Sequence, residues 1–208
     1  WSINTLVVSI VSTVISLTAG TMAGYALARL RFRGGGVLGI TIFISYLVPP
    51  TLLFIPLAEV VRTLGLLDSP LALILTYPTF LIPFCTWLMM SYFKTIPRDL
   101  EECARIDGAS RLQAMVRVAL PLAVPGILSA GIFAFTLSWN EFLYALVFLT
   151  SAQQKTIPVG VVADLVKGDV FYWGSLMAGA LLGSIPVAVI YSFFVEHYVK
   201  ALTGALKG

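Results

Sequence analysis

Five stretches of the chain carry no charged residue: 1–28, 37–58, 69–93, 118–140 and 174–195. Each has at least 22 residues, and a helix needs roughly 20 apolar residues to cross the hydrocarbon core of a bilayer. Composition agrees with the blocking. Of 208 residues, 11% are charged and 59% hydrophobic, and the mean hydropathy is +0.96. An ordinary soluble domain carries about a quarter charged residues. The sequence therefore predicts an all-α, polytopic helical membrane protein, one transmembrane domain over 1–208 with five spans, here A to E.

The charges between the spans set its direction. Arg29, Arg31, Arg33, Lys94, Arg98, Arg105, Arg111, Arg117, Lys200 and Lys207 fall on one side, against Arg62, Lys155 and Lys167 on the other. The positive-inside rule makes the first side cytoplasmic, so A starts outside and E ends inside. The net charge of +3 is thus spent on topology and gives no nucleic-acid signal. Run A is too long for the apolar core of a signal peptide, and no basic segment precedes it. An outer N-terminus without a signal peptide leads us to expect a sixth helix upstream of Trp1.

Span B contains Pro49, Pro50 and Pro56, C contains Pro78 and Pro83, and E contains Pro186. Each removes an amide donor and kinks its helix, which shapes packing or allows bending during a transport cycle. Gly20 with Gly24, and Gly179 with Gly183, have the spacing for close helix contact. Cys85 lies in a span and Cys103 well beyond it, without metal-site or disulfide spacing.

Loop 94–121 is the longest one on the cytoplasmic side. Pro97 suits a first helical turn, and Asp99, Glu101 and Glu102 fall at the positive dipole end. Gly108 is placed to end that helix. Ser110 and Gln113 form a capping box for a second one. Leu112, Met115, Val116, Ala119 and Leu120 then make one apolar stripe, and Pro121 is expected to close the helix before D. One reading of this helix-turn-helix is an interfacial helix on the membrane. The other is a plug of small residues, Cys103, Ala104, Gly108 and Ala109, flanked by carboxylates and aimed at a soluble partner.

The segment resembles the EAA loop of ABC importer permeases, whose pattern is Glu-Ala-Ala, three residues, Gly, nine residues, Ile, one residue, Leu-Pro. Here Glu102, Cys103 and Ala104 lead to Gly108, Val118, Leu120 and Pro121 at those spacings. Cys103 and Val118 are the two departures. The run Ala104-Arg105-Ile106-Asp107-Gly108-Ala109, with Trp139-Asn140-Glu141-Phe142 and Thr156-Ile157-Pro158-Val159, is similar to the carbohydrate branch. Tyr25-Ala26-Leu27-Ala28-Arg29 and the tail Leu202-Thr203-Gly204-Ala205-Leu206-Lys207-Gly208 look like the maltose-type "G" subunit family. The likeness runs through essentially the whole chain.

That resemblance implies the ABC importer permease fold in a bacterial or archaeal cytoplasmic membrane, with the C-terminus inside. It implies a second permease, a different chain, two ATPase subunits carrying ATP and Mg, and an extracytoplasmic solute-binding protein. Membrane lipid completes the surroundings. The chain contains no Gly-Lys dipeptide, and the P-loop requires one, so any ATP hydrolysis belongs to a partner. The chain itself is expected to be a transport subunit with no catalytic, cofactor or metal site. Carried over, Glu101, Glu102, Cys103, Ala104, Asp107, Gly108, Ala109, Leu120 and Pro121 would make the ATPase contact.

The solute path is sketched by Asn140 and Glu141, polar residues at the outer end of D. Glu59 and Arg62 have the spacing to pair, and Trp139 and Tyr144 suit an aromatic belt. His197 reads as an interfacial residue. Loop 150–171, about 20 residues without evident structure, either folds back on the bundle mouth or touches the binding protein through Ile157, Pro158 and Val159. Sugars, oligosaccharides or polyols are the expected cargo. Glycerol phosphate and polyamine permeases are alternatives, as is an ion-coupled secondary transporter, against which no span carries a mid-membrane charge and no internal repeat is visible.

Overall fold

The computed structural model describes the backbone of residues 1–167 and 170–205, and side chains through residue 165 and over 172–194. The expectations for Lys167, His197, Lys200, Lys207 and the tail 202–208 lie outside the described side chains. Helices α1 (Ser2–Arg29), α2 (Gly35–Leu47), α3 (Pro50–Thr63), α4 (Pro70–Thr76) and α5 (Pro78–Thr95) build the first three spans. Then come α6 (Asp99–Ile106), α7 (Arg111–Ala114), a π-helical turn Met115–Ala119, α8 (Leu120–Trp139), α9 (Leu143–Phe148) and α10 (Ile157–Leu165). A short antiparallel pair, β1 (Val166–Lys167) with β2 (Val170–Phe171), leads into α11 (Trp173–Ala205).

Four described stretches are long and apolar enough to cross a membrane: Ser2–Arg29, Pro70–Thr95, Arg111–Trp139 and Trp173–Phe194. The sequence expectation for span B changes here. It is not one rod but α2 and α3, bent by 95° at the break. The cause is local, because a residue before proline is driven out of the helical region. Val48 precedes Pro49 and Pro49 precedes Pro50, and both are extended, with ψ of 119° and 131°. Pro50 then sits at the start of α3, where a missing amide costs nothing. Tyr77 before Pro78 stays helical, so α4 and α5 remain one span.

Helix α1 packs against α5, α8 and α4. Its buried stripe is made of small residues, Ser9, Ser12, Ser16, Gly20, Gly24 and Ala28, which let backbones approach without side chains between them. A Cβ on Gly20 would overlap that of Cys85, and one on Gly24 would lie 2.8 Å from the Met90 nitrogen. The second glycine pair works the same way: Gly179 meets Val161 and Gly183 meets Ile157, seating α11 on α10.

Overpacking a tight helix contact costs about 1–3 kcal/mol or more. Gly20→Leu should therefore lower the thermal unfolding midpoint of the purified protein, whereas Gly36→Ala, which meets nothing within 4 Å, should leave it unchanged or raise it. Unfolding in detergent followed by thermal shift distinguishes the two.

Candidate functional site

At one end of the bundle the loop 94–121 is folded throughout. Ile96 is buried, and Arg98, at the N-cap of α6, donates from Nη2 to the Ala28 carbonyl at 2.8 Å. That carbonyl belongs to the last turn of α1, whose acceptors need outside partners. Asp99, Glu101 and Glu102 occupy the first turn of α6, where acids favour the positive dipole end. Its other end closes with Ala109 N–H on the Ala104 carbonyl at 3.0 Å and Gly108 N–H on the Arg105 carbonyl at 3.1 Å. This pair is the Schellman arrangement. It requires the left-handed φ of +92° that Gly108 adopts.

The capping box is present: Gln113 N–H donates to Ser110 Oγ at 3.2 Å, and Ser110 N–H to Gln113 Oε1 at 2.8 Å. Two details of the second helix depart from expectation. Pro121 does not close it, because α7, the π turn and α8 run on as one helix, Arg111–Trp139. The stripe read from the sequence is buried only in part: Ala119 is buried and Met115 and Leu120 pack against the core, but Leu112 and Val116 are exposed and Ala114, outside the stripe, is buried. The π turn is the reason. It widens one helical turn, so the buried positions step by five across it and an α-helical period misplaces them.

The loop presents Glu102, Cys103, Asp107 and Gly108 to the outside, with Ala104 and Ala109 half-buried. Leu120 is half-buried and Pro121 exposed, on the continuous helix behind the knob. The sequence reading missed Ile106 as a contact residue; it is 84% exposed, and Leu100 and Leu112 in the same loop are exposed too. Position 106 lies one helical turn after Glu102 and so shares its face, which was the available signal. Glu101 departs from the reading, since it turns inward. Its Oε1 pairs with Arg29 Nε at 2.8 Å, both side chains being 10% exposed or less, and its Oε2 accepts from the Tyr25 hydroxyl at 2.7 Å. Beside this pair Arg31, Arg98, Arg105 and Arg111 line a cleft of about 270 Å³.

At the opposite end, Glu141 also has a different job from the one expected. It accepts from Tyr144 N–H at 2.8 Å and Ala145 N–H at 3.2 Å, and from the Tyr77 hydroxyl at 2.8 Å. The carboxylate thus caps α9. Asn140 is exposed and borders a cavity of about 570 Å³ between α8, α10 and α11. Trp139 and Tyr144 are buried rather than interfacial. Trp139 stacks on Phe135 and donates to the Gly183 carbonyl. Glu59 and Arg62 do pair, at 2.6 Å on the surface.

The segment 150–171 is not structureless. It contains α10 and folds back on the bundle, with Ile157 and Val159 buried and Pro158 half-buried, so these residues are not a free contact surface. The N-terminus of α1 holds it: Trp1 Nε1 donates to the Ala152 carbonyl, Asn4 Nδ2 to the Gln153 carbonyl, and Ile157 N–H donates to Thr5 Oγ1. Asp68 completes the latch, accepting from Thr150 and Ser151 amides at 2.9 and 2.8 Å. The Ser151 and Thr150 donors hold its carboxyl below the usual aspartate range. Its φ is +60°, and the sequence reading missed it.

Residues 16–204 match the family described as binding-protein-dependent transport system inner membrane component. The chain belongs to this family. It is 38% identical to the inner membrane ABC transporter permease protein YcjP of Escherichia coli K12, over 99% of this chain and 73% of that one. It is 40% identical to the sulfoquinovosyl glycerol transport system permease protein SmoH of Agrobacterium fabrum, over 99% and 72%. Against the trehalose/maltose permease MalG of Thermococcus litoralis the figures are 33%, 99% and 74%. A solved bacterial ABC transporter for alginate import superposes with a TM-score of 0.77 at 27% identity, over 94% of this chain and 73% of that one. The chain is therefore an ABC importer permease subunit, a transport component rather than an enzyme.

Removing a helix cap costs about 0.5–2 kcal/mol. Glu141→Ala should accordingly lower the thermal midpoint, while Asn140→Ala should leave it in place. Equal midpoints for both variants would return Glu141 to the list of path residues.

Proposed function

We propose that this chain is one half of the membrane path of an ATP-driven importer for a sugar, oligosaccharide or polyol. The loop 94–121 would be its contact with a separate ATPase. The observation that carries the reading is the knob itself: α6, closed by the Gly108 turn, with Glu102, Cys103 and the apolar Ile106 exposed. The names of the relatives, which transport sulfoquinovosyl glycerol, trehalose or maltose, trehalose, and diacetylchitobiose, support a carbohydrate cargo.

In this reading two ATPase subunits, with ATP and Mg, lie on the cytoplasmic side, each taking the knob of one permease. A second permease completes the path, and an extracytoplasmic binding protein delivers solute to the other face. When the ATPase subunits close, α6 moves with them. Because α7, the π turn and α8 are one continuous helix, motion passed through the turn at 107–110 enters the bundle along that helix. Gly108 contributes its left-handed backbone, and Glu102 a charge at the contact.

In proteoliposomes holding the assembled transporter, Glu102→Lys and Gly108→Val should abolish solute-stimulated ATPase activity while the permease stays inserted. Normal stimulation in both variants would overturn the assignment of the loop. The sidedness has its own test. With Cys85 and Cys103 replaced by serine, a cysteine at Ser110 should react with an impermeant maleimide only from the cytoplasm, and one at Gln153 only from outside.

A further inference from the structure

The chain itself joins the knob to α5 through residues 96–98 and to α8 through the turn at 107–110. A second, non-covalent route is built from residues far apart in sequence. At the knob end, Glu101 holds Arg29 and Tyr25, Arg29 Nη2 donates to the Ile96 carbonyl at 2.7 Å, and Arg98 donates to the Ala28 carbonyl. The last turn of α1 is thereby fastened to both ends of the 96–101 segment. A carboxylate and a guanidinium so buried are costly to separate, because each alone would be an uncompensated charge. The loop and α1 therefore move as one body.

The other end of α1 is fastened too. Twenty-eight helical residues span about 42 Å at 1.5 Å each. Beyond them Trp1, Asn4 and Thr5 bond the segment that enters α10. The indole of Trp1 lies on Gly160, where a Cβ would overlap it. Between the ends, the glycine face against α5 keeps the rod from sliding freely.

We propose that α1 is a push rod between the ATPase-facing loop and the opposite mouth of the bundle, with Arg29 and Glu101 as the positioning pair that engages it. The proposal rests on the reading of loop 94–121 as the ATPase contact. Without the pair, α6 would still drive α5 and α8, and α8 still packs on α10 through Phe135 and Trp139, but α1 would no longer carry the ATPase stroke to its bonds with 152–157. Solute release and ATP hydrolysis would come apart.

The test uses the assembled transporter with its ATPase and binding protein in proteoliposomes. Glu101→Gln and Arg29→Gln should each lower solute imported per ATP hydrolysed by about tenfold, within the range over which single residues modulate coupling. The charge swap, Arg29→Glu with Glu101→Arg, should recover most of that ratio, and Tyr25→Phe should lower it less. A spin label at Ala152 should shift on vanadate trapping in the wild type and stay still in Glu101→Gln, while a label at Ser129 on α8 shifts in both. Unchanged import per ATP in the single variants, or an Ala152 label that still moves in Glu101→Gln, overturns the rod. Loss of both labels' movement also overturns it, because the pair would then act on the whole fold. Glu102→Lys separates the two levels. If it is silent, the ATPase contact itself is misassigned; if it abolishes stimulation while Glu101→Gln couples normally, only the rod fails.

Discussion

The contact of α1 with α5 at Gly20 and Gly24 is what the rest of this bundle hangs on. In a bilayer no hydrophobic drive separates helix from lipid, so helices associate by close packing and by polar groups satisfied between them. Glycine at those two positions brings the backbones near enough for dispersion contacts along the stripe from Ser9 to Ala28. With α1 held there, its two ends become fixed points. Arg29 at one end and Thr5 at the other then have partners arriving from distant parts of the chain.

The two ends use different chemistry because they have different tasks. The knob end is fastened by charge, with a buried guanidinium and carboxylate, and shows its remaining acids and Ile106 outward. The opposite end is fastened by neutral hydrogen bonds from Trp1 and Asn4 and by the amides that Asp68 accepts. Helix α2 and the described part of α11 leave broad apolar faces uncovered, as a permease surrounded by lipid requires.

Local devices were legible in the sequence and distant ones were not. The Gly108 turn and the Ser110 capping box depend on residues within a few positions, so spacing alone identified them. Four of the spans followed from hydropathy. Span B is apolar enough to follow too, but hydropathy carries no direction, and its 95° turn comes from two successive residues forced out of the helical region by Pro49 and Pro50. The stripe from Leu112 to Leu120 held at Ala119 and failed at Leu112 and Val116, because no composition signal marks the π turn. Glu101 and Glu141 were read as exposed functional acids because their partners, Arg29 and Tyr77, lie 72 and 64 residues away. For the same reason the sequence left open whether Ile157 and Val159 fold back or stay free: the segments that hold them, Thr5 among them, are far away in the chain.

The central claim is that the α6 knob is covered by the ATPase. The chain carries its own probe, since Cys103 is exposed on the knob and Cys85 is buried in the bundle. The rate at which a maleimide modifies Cys103 should fall sharply when the permease is assembled with its ATPase, and recover when the ATPase is stripped away, with Cys85 unreactive throughout. A Cys103 rate that is the same with and without the ATPase would contradict the account.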